Sequence, residues 1–157
     1  MRGTVSRRDP LEYLTRQLRP LAVLTLLLLA AQFLIGMVVN LFVTVPATHP
    51  GAQAPNYFVG VAQGVAWALA YSTWSLKLHA VVGLLLFLAA LALIGLAIVA
   101  RRRAWIVAAV LGLLGIMAAG FNGASFMNYG ENFSSLLMSV GFLVAVCAYA
   151  IGCYVTR

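Results

Sequence analysis

Four stretches of this chain, residues 21–43, 78–100, 104–126 and 134–154, contain no Asp, Glu, Lys or Arg and are apolar almost throughout. A run of about 20 apolar residues, rising 1.5 Å each as a helix, covers a hydrocarbon core of about 30 Å. Inside lipid, backbone N–H and C=O groups find partners only in a helix or a closed barrel. The expected architecture is therefore all-α: an integral membrane four-helix bundle, a single transmembrane domain over residues 1–157. Composition agrees, since 8% of the residues are charged and 64% hydrophobic, against roughly 25% charged in a soluble domain. A water-facing surface cannot be assembled from so few charges.

The placement of the cations sets the orientation. Arg2, Arg7, Arg8, Arg16 and Arg19 precede the first span, Arg101, Arg102 and Arg103 separate the second from the third, and Arg157 ends the sequence. Basic residues collect on the cytoplasmic side of inner-membrane proteins, so both termini are expected in the cytoplasm, with the protein multi-pass in a bacterial inner membrane. The formal charge of +7 does not indicate nucleic acid as a partner, because a phosphate footprint needs several cations on one exposed face. The first apolar run exceeds the roughly 7 to 15 residues of a signal-peptide core. Cys147 and Cys153 are six apart and fall on different helix faces, which implies neither a disulfide nor a metal site.

Two segments outside the spans carry structure of their own. In residues 1–20, Asp9-Pro10-Leu11-Glu12 reads as a helix start, with Leu11, Leu14 and Leu18 on one face. A short amphipathic helix on the cytoplasmic surface is expected there, or a partner-docking helix. The outer loop, residues 44–77, opens with Pro46, Pro50 and Pro55 and contains the apolar piece Tyr57–Tyr71. That piece is too short to span, and a fifth span would put Arg101–Arg103 outside, so it is expected as an interfacial helix. Tyr57, Trp67, Tyr71 and Trp74 read as headgroup anchors. His49, in Thr48-His49-Pro50-Gly51, reads as a surface residue, or as a lid or second ligand folded down over the polar outer ends of the spans, and Glu131 as a solvated acid, or a catalytic one, in the outer connection between the last two spans.

Small residues mark where helices approach in lipid, because packing drives association there. Gly141, Ala145, Ala148 and Gly152 form one stripe with Met138, and Gly112, Gly115, Ala119 and Asn122 another. Gln32, Gly36 and Asn40 form a third, and His79, Gly83, Leu86, Ala90 and Ala97 a fourth. With the orientation above, Asn40, His79, Asn122 and Met138 lie near the outer ends of their spans, with Ser135 and Ser139 close by. Polar side chains at membrane depth usually face the bundle interior and often carry function. Asn40 and Asn122, and His79 and Met138, occupy like positions in two successive helix pairs, which suggests a tandem repeat.

His79 has three readings: a structural histidine bonded to Asn40 or a loop carbonyl, an axial heme ligand, or a proton-relay or quinone-contacting group. Met138 is either a core filler or the opposing ligand of a His/Met-ligated iron. The order Gln32-Phe33-Leu34-Ile35-Gly36, Asn40-Leu41-Phe42-Val43-Thr44, Pro46, a long outer loop and a histidine opening the next span resembles one half of the heme A synthase family. Members of that family are repeated four-helix bundles that hold heme through histidines at the outer ends of even-numbered helices. The resemblance implies heme b at the outer side, with His79 as a ligand and Met138 in the place of the second histidine, lined by Asn40 and Asn122. No acid precedes His79 in Trp74-Ser75-Leu76-Lys77-Leu78, and Ala80 follows it, so the expectation is heme binding, or a scaffold that has lost it, rather than heme oxidation. Two other roles stay open: a non-catalytic accessory subunit packing against a larger respiratory membrane complex, and a small transporter. The transporter lacks the intramembrane charges and broken helices of that class.

Overall fold

The computed structural model describes residues 10–156 and contains five helices: α1 (Pro10–Phe42), α2 (Tyr57–Tyr71), α3 (Trp74–Val99), α4 (Arg103–Tyr129) and α5 (Asn132–Val155). Among the described residues there is no strand. Helices α1, α3, α4 and α5 are long and apolar enough to cross a membrane, whereas α2 has 15 residues. The four expected spans are thus each present as a helix, and the apolar piece of the long loop between the first two is a helix of its own.

Around the bundle the order is α1, α3, α4, α5, with α5 closing back on α1, so that α3 and α5 lie on one diagonal. Short turns force the antiparallel arrangement. Between α3 and α4, Arg101 takes a left-handed conformation (φ 52°), and Arg102 N–H donates to the Ala97 carbonyl at 3.2 Å, a six-to-one closure of the kind usually built on glycine. Between α4 and α5, Gly130 (φ 70°) caps α4 by donating to Phe126 O at 2.8 Å. The connection read as 126–133 is therefore only a two-residue turn.

The small-residue stripes lie where helices meet. Gly141, Ala145, Ala148 and Gly152 are buried on α5 and Gly112 and Gly115 on α4. The approach is close: a Cβ on Gly115 would stand 2.6 Å from the Gly141 carbonyl and 2.7 Å from Ala145 N. One turn deeper toward the arginine-bearing end, Gly112 leaves room for the fully buried Tyr149 ring. Leu86, Ala90 and Ala97 of α3 are buried against the same core.

The amphipathic segment expected before the first span is not a separate element. Residues from Pro10 onward are continuous with α1, and Pro20 sits inside the helix. Pro20 withholds one backbone donor, but Leu18 and Ala22 on either side of it are fully buried and hold the helical path. Leu18 therefore belongs to the bundle core, Leu14 is half-buried and Leu11 exposed. The proposed cap Asp9 lies outside the described residues.

Candidate functional site

Two polar groups occupy the loop-bearing end of the bundle, and each is built by helix packing. The first joins α1 to α3. Gln32 Nε2 donates to the His79 carbonyl at 3.1 Å and stands 3.3 Å from His79 Nε2. Gly36, one turn beyond Gln32, admits the imidazole, since a Cβ there would lie 2.9 Å from His79 Cε1. Gly83, one turn beyond His79, accommodates the Gln32 amide, with its own ideal Cβ 3.4 Å from Nε2. Gln32 and Gly36 thus interlock with His79 and Gly83 across one interface. With Nε2 taken as acceptor from Gln32, the ring proton belongs on Nδ1. His79 Nδ1 and Gln32 Oε1 are both buried without a hydrogen-bond partner.

The second group caps the bundle and was not legible as a unit in the sequence. His49 is buried, correcting its reading as a surface residue. Its Nδ1 donates to Pro46 O at 2.8 Å, its Nε2 lies 3.1 Å from Oδ1 of Asn128, and its ring packs against Trp67 at a tilt of 34° with centroids 4.7 Å apart. The physical reason is that α2 packs against α3 and α4, which draws the proline-rich loop inward. Gly60, Gly64 and Ala68 make the buried face of α2, and a Cβ on Gly64 would meet Asn128 Oδ1 at 2.5 Å and Met127 Cε at 2.8 Å. Gly51 (φ 97°) lies against the Gly60 carbonyl and Gly64 N. Gln53 N–H donates to Asn128 O at 3.2 Å and Tyr129 O–H to Ala54 O at 3.0 Å, so the loop is tied to the end of α4 at three points. Trp67 belongs to this cap, while Tyr71 and Trp74 are 80% and 76% exposed, as anchors require. The usable signal was the spacing Gly60, Gly64, Ala68, another small-residue stripe.

The four residues expected to converge do not gather at one point. Asn40 is exposed on α1. Asn122 is half-buried and its Nδ2 donates to Ala118 O of its own helix at 2.8 Å. Met138 is half-buried, and its Sδ lies against α4, 3.2 Å from where a Cβ on Gly123 would stand. Ser139 is exposed and bonds Ser135 O at 3.0 Å, and Ser134, rather than Ser135, is the buried serine of this end, donating to Ser125 Oγ at 3.3 Å. The imidazole of His79 therefore faces α1 and the thioether of Met138 faces α4. A bis-axial heme needs both on one axis through the iron. In this arrangement the two side chains do not make that pair.

Two cavities lie beside this cap, at the loop between α1 and α3. One of about 130 Å³ is lined by Val43–Pro46, Trp67, Tyr71 to Thr73 and Leu76, and a wide-open hollow of about 520 Å³ by Ala47 to Pro50, Ala52 and Gln53. Among the described residues no cluster of three or more His, Cys, Asp or Glu side chains is spaced to hold a metal ion. No family model matches this chain, and no curated protein or solved structure does.

Proposed function

We propose that the protein is a multi-pass component of a bacterial inner membrane, with both ends in the cytoplasm, built on a scaffold of the heme-handling type and acting as a non-catalytic accessory subunit of a larger membrane complex. The observation that carries this reading is the engagement of His79. Its ring is seated on Gly36 and beside the Gln32 amide, which is the work of a helix–helix contact rather than of a group aimed into a reaction cavity. Helix α1 supports the partner. Over its most apolar stretch only 17% of residues are buried, against 33% for α4, and Leu34, Val38 and Leu41 are exposed along it. The arginine distribution supports the orientation, and α2, apolar and 15 residues long, suits the outer interface.

Purification in mild detergent from heme-supplied cells is expected to yield a stoichiometric partner and no Soret band. Tryptophan at Leu34 and Leu41 should release the partner without unfolding the bundle. A monodisperse, partner-free monomer from native membranes overturns the accessory role. Single cysteines at Gln53 and Arg102, in a background lacking Cys147 and Cys153, should label from the outer and the cytoplasmic side respectively; the reverse pattern overturns the orientation.

A second reading has one observation in its favour: the buried His79 ring has no hydrogen-bond partner at Nδ1 and only the Gln32 amide at Nε2, the nitrogen that would serve as ligand once that contact broke. On that reading His79 swings off α1 and holds heme b. A Soret band that disappears in His79→Ala would establish it and displace the accessory scaffold as a heme-free element.

A further inference from the structure

Among the described residues, the arginine-bearing end of the bundle carries five guanidinium groups and one carboxylate. Arg16, Arg19, Arg101, Arg102 and Arg103 are all exposed there, and Glu12 pairs with Arg16 at 2.6 Å. Among the described residues the other acid, Glu131, caps the opposite end of the bundle at the start of α5. Four guanidinium groups thus lack a carboxylate partner among the described residues. Arg101 also holds its left-handed turn position, where glycine would fit with less strain.

The surroundings of these cations decide what they meet. Ile98 and Val99 precede the turn and are 54% and 53% exposed, and Val107, one turn after Arg103, is likewise exposed. Tyr13 and Tyr154, near the same end on α1 and α5, are exposed as well. Cations set directly against exposed aliphatic and tyrosine surface match the boundary between acyl chains and headgroups. A soluble anion would satisfy the guanidinium groups but leave that apolar surface in water. Guanidinium binds phosphate oxygens in bidentate pairs, and arginines near an anionic leaflet are drawn to its surface charge.

From this we infer that the Arg101–Arg103 turn, with Arg19, is a recognition surface for anionic phospholipid headgroups and enriches them around this end of the bundle. The inference rests on the chain's spanning a membrane, as proposed above, and neither on which side its termini lie nor on any heme or protein partner.

Spin-labelled lipids test it in vesicles of phosphatidylcholine containing 20% phosphatidylglycerol. The fraction of labelled phosphatidylglycerol immobilised by the purified protein should exceed that of labelled phosphatidylcholine several-fold. Arg101→Gly combined with Arg102→Gln and Arg103→Gln should bring the ratio close to one. The glycine keeps the turn geometry, so this variant is expected to unfold no earlier than the parent. Lysine at all three positions should retain most of the preference, and Lys77→Gln, at the other end, should leave it unchanged. Equal immobilisation of both lipids by the parent, or a preference undiminished in the Gly/Gln/Gln variant, overturns the inference. Loss of the preference in 10 mM inorganic phosphate but not in 10 mM chloride would instead assign the surface to free phosphate. Protein whose termini prove to lie outside, yet which keeps the preference, would sink the orientation and leave the recognition intact.

Discussion

Gly115→Leu is expected to produce the largest loss of stability of any single helix substitution considered, about 3 kcal/mol or more, because overpacking that meets backbone cannot be relieved by a side-chain rotation. Already at the Cβ the new residue would stand 2.6 Å from Gly141 O and 2.7 Å from Ala145 N. Helices α4 and α5 would have to separate along their whole shared face, which also carries Gly141 and Gly152. With a shift of roughly 2 to 4 °C per kcal/mol for a chain of this size, the thermal midpoint in detergent should fall by about 10 °C. Gly120→Ala on the same helix is the control. Nothing lies within 4 Å of its Cβ position, so the substitution should be neutral or stabilise by about 0.5 to 1 kcal/mol through helix propensity. Equal effects at the two glycines would show that α4 and α5 do not approach as described.

Disrupting the cap should leave the bundle and loosen the loop. His49→Leu removes the donor to Pro46 O and leaves the buried Asn128 Oδ1 without its side-chain partner, at about 1 to 3 kcal/mol. Hydrogen exchange over residues 43–56 and along α2 should accelerate about 10- to 100-fold, at 1.4 kcal/mol per decade, while amides of α4 and α5 near Gly115 keep their protection. Asn128→Leu should act in the same place, and the double variant should fall short of the sum by about 1 kcal/mol or more, as residues sharing one bond do. Unchanged exchange in residues 43–56 after either substitution would mean that His49 does not tie the loop down.

The order of the elements and the inward faces were legible because lipid makes few demands and makes them locally. A span must be uncharged and about 20 residues long, and a residue that meets another helix closely must be small. Residues such as Gly141, Ala145 and Gly152 declare themselves by spacing alone. The same logic placed Gln32 and Gly36 on one face and His79 and Gly83 on another, and these do meet. What spacing could not say is which neighbour a side chain selects. Met138 shares the inward stripe of α5 but turns to Gly123, and Asn122 bonds its own helix instead of a partner. A helical face spans a wide arc, and both α4 and α1 lie within reach of α5.

His49 shows the limit most clearly. In sequence it stands among Pro46, Pro50 and Gly51, residues that ordinarily mark an exposed connection. Its burial depends on Asn128, 79 positions away, and on Trp67 of a helix whose docking brings all three together. By itself the sequence determined the four long apolar helices, the end of the bundle at which the arginines collect and most of the faces that pack, since each follows from local composition in a solvent without water. Only the tertiary structure decided that α1 runs unbroken through Pro20, that the loop between α1 and α3 folds inward as a cap, and that the imidazole of His79 rests on α1, because those outcomes rest on contacts between residues far apart in the chain.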